Sequence, residues 1–271
     1  MSAYRVLETQ LNTLRLTGFV QQYRRYADDA ARTNQPYEQY LEGLAAYDVA
    51  RRTQARQERA VRAARFPVAK ELAAFDFTCV PRLNTARVLE VAQCQYLAQA
   101  ESVILVGNPG LGKTHLATAL GLAACRRGYA VRCFTAASLV NDLLAAQAEH
   151  RIEKLLAQAR KQQLVILDEL GCIPFSERGS QLLFQFCSAM HEQVSLLITT
   201  NVRFGAWTQV FGNEHLTAAL IDRLTHRATI LEFIGESYRF RERLQRDQTS
   251  GGVLDGPTSA PDAADHGPEG N

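Results

Sequence analysis

The spacing of apolar positions changes character along this chain. Near the start, Tyr37, Tyr40, Leu41, Leu44 and Tyr47 recur at steps of three and four, which is helical spacing. Pro36 stands where a helix can begin, because its fixed φ suits the first turn. A second helical stretch, about 48–65, carries Arg51, Arg52, Arg56, Arg59, Arg62 and Arg65. At about 100° per residue these six fall within one half of the helix circumference. Pro67 is expected to end that helix. Residues 1–65 therefore read as a small helical N-terminal domain, and 66–100 as a connector with one short helix.

From residue 102 onward, short continuous apolar runs alternate with amphipathic stretches. Ser102–Val106 is a run of the kind found in a parallel strand buried on both faces. A helix over 113–126, a strand over Tyr129–Phe134 and a mostly helical Ala137–Arg160 follow. Next come a strand over Leu164–Leu167, a helix at about 178–192 and a strand at 194–200. A helix at 215–225 and a strand at 228–233 complete the series. Five strands alternating with helices predict an α/β fold built on a five-stranded parallel sheet covered on both faces. After a short arginine-rich helix at about 237–246, the chain from Gly251 is rich in Gly, Pro, Ser, Ala and Asp without apolar periodicity. Residues 247–271 are expected to be a disordered acidic tail, leaving 66–246 as the main domain.

Composition adds three constraints. Hydrophobic residues make up 46% and charged residues 21% of the 271, ordinary for a globular chain. No run of 18 apolar residues and no secretory leader pattern is visible, so no membrane partner is expected. The six cysteines form no C-x-x-C pair and no zinc-spaced cluster. They read as buried free thiols in a reducing, cytoplasmic setting. The net charge of +2 conceals an asymmetry: the last 25 residues hold five acids and no Lys or Arg, so residues 1–246 carry +7. Such a body suits a polyanionic partner, though the charge alone is weak evidence.

The chemistry concentrates at strand ends. Gly107-Asn108-Pro109-Gly110-Leu111-Gly112-Lys113-Thr114 fits the phosphate-loop pattern G-x-x-x-x-G-K-[ST], placed between a predicted strand and a predicted helix. Its backbone N–H groups and the helix end would face phosphate oxygens. Lys113 would reach the β- and γ-phosphates of ATP, and the Thr114 hydroxyl would ligate Mg²⁺. His115 continues the nucleotide-binding stretch and reads as packing rather than catalysis. The run Leu164-Val165-Ile166-Leu167-Asp168-Glu169 delivers two acids to the carboxyl end of a buried strand, where open α/β sheets bind ligands. Asp168 is the expected second metal ligand, and Glu169 the base that polarises water for attack on the γ-phosphate. Asn201, ending the polar strand terminus Thr199-Thr200-Asn201, is placed to bond that water or the phosphate. The strand predicted between the two motifs is the arrangement of the additional-strand branch of P-loop ATPases.

These residues resemble a family. Ala64-Arg65-Phe66-Pro67-Val68-Ala69-Lys70 running into Phe75-Asp76-Phe77, the phosphate loop with His115, and Leu167–Gly171 are similar to IstB. So are Thr199–Asn201, Ala219–His226 and Gly235–Arg239. IstB is the AAA+ ATP-binding helper of bacterial insertion sequences, close to the DnaC-type helicase loaders. The resemblance implies an AAA+ ATPase core with no separate lid domain after residue 235. It implies ATP hydrolysis to ADP and phosphate, assembly as a homo-oligomer on double-stranded DNA, and stimulation of a cognate transposase. It gives Arg223 the role of an arginine finger serving a neighbouring subunit, and Arg239 that of a second nucleotide sensor. Phe75 to Phe77 would lie beside the adenine. A helicase loader acting on single-stranded DNA is the alternative; a small-molecule kinase is disfavoured by Glu169, Asn201 and Arg223.

Overall fold

The computed structural model describes residues 3–235 and 237–238. Three helices open the chain: α1 (Ala3–Thr13), α2 (Thr17–Thr33) and α3 (Tyr37–Ala64). A connector with three short 3₁₀ turns holds α4 (Thr85–Ala92). Then follow β1 (Ser102–Gly107), α5 (Lys113–Arg126), β2 (Val131–Thr135), α6 (Ala136–Ala148), α7 (Ile152–Ala159) and β3 (Leu164–Leu170). The last elements are α8 (Glu177–Met190), β4 (Ser195–Thr200), α9 (Trp207–Phe211), α10 (Glu214–Thr225) and β5 (Ala228–Phe233). All five strands are parallel, in the order β2-β3-β4-β1-β5. The α/β fold and the five-stranded parallel sheet expected from the apolar runs are both present.

Period-two alternation divides the sheet's side chains between two cores. Val103, Leu105, Leu164, Ile166 and Leu197 face α4, α5 and the end of α3. Ile104, Val165, Leu167, Leu196 and Ile198 face α6 to α10. Because both faces are covered, the strands read as unbroken apolar runs. Helix α5 lies close against the sheet because Gly121 has no side chain. A Cβ there would stand 2.7 Å from both Ile166 Cδ1 and Phe66 Cε1.

Several expectations need adjustment. The stretches about 37–47 and 48–65 form one continuous 28-residue helix. It ends at Ala64 through Arg65 in the left-handed conformation, φ 57°, so Pro67 follows the stop rather than causing it. Ala60, Val61, Ala64 and Phe66 pack into the sheet's core. The segment 137–160 breaks in two at His150, which has φ 55°. The second strand starts at Val131, after the turn at Gly128. Helix α9, anchored by the buried Trp207, has no counterpart in the sequence reading. The arginine-rich stretch at 237–246, beyond Tyr238, and the acidic tail lie outside the described residues.

The arginine stripe on α3 is divided in use. Arg51 and Arg52 turn onto Asp48, with closest contacts of 3.0 and 2.6 Å. Asp48 is only 4% exposed. Its Oδ1 also accepts the Gly18 N–H at 3.0 Å. That N–H belongs to the first turn of α2, where Leu16 provides no side-chain cap, so Asp48 caps α2 from another helix. Arg56, Arg59, Arg62 and Arg65 remain exposed.

Burial pushes the Asp48 carboxyl up, but the bonds from Arg51, Arg52 and Gly18 outweigh it and hold the group below its ordinary value of 3.8. This contribution to stability is therefore complete above the ordinary value and disappears as pH falls through the lower folded one. Asp48→Ala should cost about 1–3 kcal/mol in urea unfolding at neutral pH, the expected penalty for orphaning buried partners. The cost should shrink toward zero in the most acidic buffers that still permit folding. An unchanged midpoint at neutral pH would contradict the capping role.

Candidate nucleotide-binding site

The loop Gly107–Thr114 connects the carboxyl end of β1 to α5. Gly107 must be glycine because β5 runs alongside: a Cβ there would lie 2.2 Å from the Phe233 carbonyl oxygen. Gly112 caps α5 at φ 86°, a left-handed conformation that L side chains adopt at a cost. A Cβ on it would stand 2.9 Å from the ring of Phe75. The loop consequently delivers the free N–H groups of the first α5 turn to one place, an anion-binding arrangement.

Lys113 is 6% exposed. Its Nζ donates to the carbonyls of Gly107 and Asn108, each at 2.7 Å, so the ammonium is held across the loop. One residue on, Thr114 Oγ1 donates to Asp168 Oδ1 at 3.0 Å. Asp168, 4% exposed at the end of β3, also accepts from the Thr199 hydroxyl of β4. Thr199 Oγ1 in turn accepts the Glu169 N–H at 2.9 Å. One carboxylate thus joins α5, β3 and β4. A hydroxyl and a carboxylate side by side are hard oxygen donors, the set that suits Mg²⁺.

Glu169 is exposed although its neighbours Asp168 and Leu170 are buried. Its φ of 60° is left-handed, which costs a non-glycine residue about 1–2 kcal/mol. The register explains it: Leu167 pairs with Ile198 but Leu170 with Thr200, so β3 carries one extra residue against β4. The bulge redirects the strand just where the carboxylate leaves the core.

A cleft of about 550 Å³ lies over this loop. Lys113, Thr114, His115, Glu169, Thr199 and Asn201 line it. Pro67, Val68 and Phe75 of the connector and Tyr238, which follows β5, also line it. Phe75 packs edge-on to His115, ring centroids 5.3 Å apart, and the His115 Nε2 lies 3.0 Å from the Glu71 carbonyl. His115 therefore both packs and lines the cleft. Asp76 accepts from Thr78 and caps the next turn. Asn201 Nδ2 donates to Cys172 Sγ at 3.3 Å. Cys172 is exposed, unlike the other five cysteines. That corrects the expectation of uniformly buried thiols, because Cys172 sits on the loop that leaves β3. Burial, and then the charge of Glu169, raise its thiol above the ordinary value.

Arg223 does not line this cleft. On the last turn of α10, its Nη1 donates to Ser188 Oγ at 2.7 Å, and its guanidinium lies 4.6 Å over the Phe184 ring. Arg239 falls outside the described residues. Thr199 and Tyr238, which line the cleft, and Cys172, which touches Asn201 at its edge, have no individual role in the sequence reading. In the sequence Thr199 is only part of a polar strand end, and its bridging position depends on the β3–β4 register. Cys172 requires the same loop geometry. Tyr238 lies in the quoted Gly235–Arg239 segment, and its N–H donates to the Gly110 carbonyl at 3.0 Å.

Among the described residues no helix is long and apolar enough to cross a membrane. The fold is similar to that of solved DnaI, with a TM-score of 0.50 at 18% identity, covering 62% of this chain and 89% of that one. It is also similar to the replication initiator DnaA bound to AMPPCP and single-stranded DNA, with TM-score 0.50 and 19% identity, covering 68% and 57%. In sequence, an insertion-sequence ATP-binding protein of Sinorhizobium fredii is 36% identical over 246 residues, 90% of this chain and 83% of that one. The IS21 ATP-binding protein of Pseudomonas aeruginosa is 34% identical over 237 residues, 88% and 89%. The IS232 ATP-binding protein of Bacillus thuringiensis subsp. berliner is 31% identical over 249 residues, 91% and 98%. The family profile of IstB-like ATP binding proteins matches residues 9–246, and the chain belongs to that family.

Proposed function

We propose that this chain is the Mg-dependent ATPase of an insertion sequence, assembling as a homo-oligomer on duplex DNA and promoting target choice and the activity of a cognate transposase. The observation that carries the nucleotide half is the Thr114–Asp168 contact of 3.0 Å within the cleft that also holds Lys113 and Glu169. The insertion-sequence relatives support the transposition half.

In this reading the Gly107–Thr114 backbone cradles the phosphates. Lys113 exchanges its loop carbonyls for β- and γ-phosphate oxygens. Thr114 and Asp168 hold Mg²⁺, which offsets phosphate charge when bound. Glu169 takes a proton from water as the water oxygen bonds to the γ-phosphorus. The bond from that phosphorus to the bridging β–γ oxygen breaks, giving ADP and inorganic phosphate. Asn201 orients the water after leaving Cys172, and Phe75 packs beside the base. Arg223 lies off its own chain's cleft, which suits a finger reaching a neighbour's γ-phosphate. Arg239 is the proposed second sensor. The proposed division is a helical partner- or DNA-contacting region over 1–65, an ATPase domain over 66–246 and a tail over 247–271. Arg56, Arg59, Arg62 and Arg65 are the candidate DNA-phosphate contacts, since Arg51 and Arg52 are engaged with Asp48.

ATP turnover with and without duplex DNA tests the enzyme. Duplex DNA should stimulate wild type more than single-stranded DNA does. Lys113→Ala and Glu169→Gln should each lower kcat at least about 100-fold. Turnover indifferent to DNA would favour a simple nucleotidase.

Arg223→Ala alone should also be inactive, by a comparable factor. Mixed with Glu169→Gln it should recover part of the wild-type rate, since each variant supplies the half the other lacks. No recovery in mixtures that still co-assemble would contradict a finger in trans.

Duplex-DNA affinity should fall with salt. The double change Arg59→Ala/Arg62→Ala should reduce the slope of log K against log [salt] by about 2, the loss of two phosphate contacts. An unchanged slope would move the DNA surface elsewhere.

A further inference from the structure

Outside the cleft, one group of side chains has a metal-binding composition. His191, Glu192 and His226 each offer one ligand atom, and these atoms all lie within 4.8 Å of one another. His191 Nε2 is 3.9 Å from Glu192 Oε1. Two imidazole nitrogens and a carboxylate oxygen make a donor set suited to zinc and the neighbouring first-row divalent ions. The set is unlike the all-oxygen pair Thr114 and Asp168.

The backbone around the group favours a cation. His191 is the C-cap of α8 and His226 the C-cap of α10, and these two helices pack on each other. Two carbonyl ends thus converge on one spot, each carrying the partial negative charge of a helix C-terminus. Glu192 has φ 57°, an uncommon conformation for a non-glycine residue, in the turn between α8 and β4. His191 and Glu192 also border a recess of about 20 Å³, room for a water molecule, which His226 does not line. Two arginines border the same recess and oppose a cation, but both have other partners. Arg227 lies 3.7 Å from Glu101, and Arg223 is held by Ser188 and Phe184.

We infer that His191, Glu192 and His226 form a site for a zinc-class divalent ion, with water completing the coordination, that staples the end of α10 to the end of α8. The staple closes three residues beyond Arg223, so an ion there fixes the helix end that carries this side chain. The inference does not depend on the ATPase reading, because metal binding is measured without nucleotide.

The test is calorimetric titration of the full chain with Zn²⁺ in excess Mg²⁺, with thermal unfolding in parallel. His191→Ala, His226→Ala and Glu192→Gln are compared with wild type, and His150→Ala serves as the control for adventitious histidine binding. Wild type and His150→Ala should take up one more zinc equivalent than either cluster-histidine variant. Glu192→Gln, an exposed and conservative change, should weaken that equivalent at least about tenfold. At a hundredfold excess over the dissociation constant, zinc should raise the wild-type Tm by about 3 °C or more, and should leave His226→Ala unmoved. The site is refuted if wild type binds no zinc. It is equally refuted if wild type, Glu192→Gln and the histidine variants bind zinc alike with the same Tm response.

Discussion

The site depends on one buried carboxylate. Asp168 receives hydroxyl bonds from Thr114 and Thr199, and so fixes the start of α5, the end of β3 and the end of β4 relative to one another. A nearly fully buried acid is tolerable only with such partners. The requirement acts in both directions. The hydroxyls need the carboxylate, and the carboxylate holds them at the one place where a hard cation and the phosphate loop can share ligands.

Sheet topology explains why the pieces meet there. Strand β4 enters between β3 and β1, so the carboxyl ends of three neighbouring strands present Asp168, Thr199 and the phosphate loop together. Open α/β sheets bind ligands at that edge, outside the carboxyl ends of the strands. The bulge that puts Glu169 in a left-handed conformation carries a small energetic cost at the position where its carboxylate leaves the core.

Much of this was legible in the sequence because it is local. The phosphate loop encodes its own geometry through Gly107, Gly112 and Lys113, and α5 falls on the span its pattern predicts. The acid pair on a buried strand was equally plain. What escaped depends on contacts between distant segments. Thr199 matters only through its register beside β3. The exposure of Cys172 follows from the loop after the bulge. The continuity of α3 could not be read from its weak amphipathicity, since only Ala60, Val61 and Ala64 of its second half pack, and they do so on a core formed by segments later in the chain. Asp48 has no motif to mark it, because its partners Gly18, Arg51 and Arg52 meet it only when α2 packs on α3. His191 and His226 are separated by 35 positions and share no motif; only the packing of α8 on α10 joins them.

The most direct test of the account is the magnesium dependence of ATP binding. Affinity should be measured for wild type and Asp168→Asn with Mg²⁺ and with EDTA. If Asp168 and Thr114 hold the ion, wild type should bind ATP at least about tenfold more tightly with Mg²⁺, a modest coupling for a metal that bridges protein and phosphate. Asp168→Asn should bind about equally in both buffers. A variant that keeps the full magnesium effect would contradict the arrangement on which the account rests.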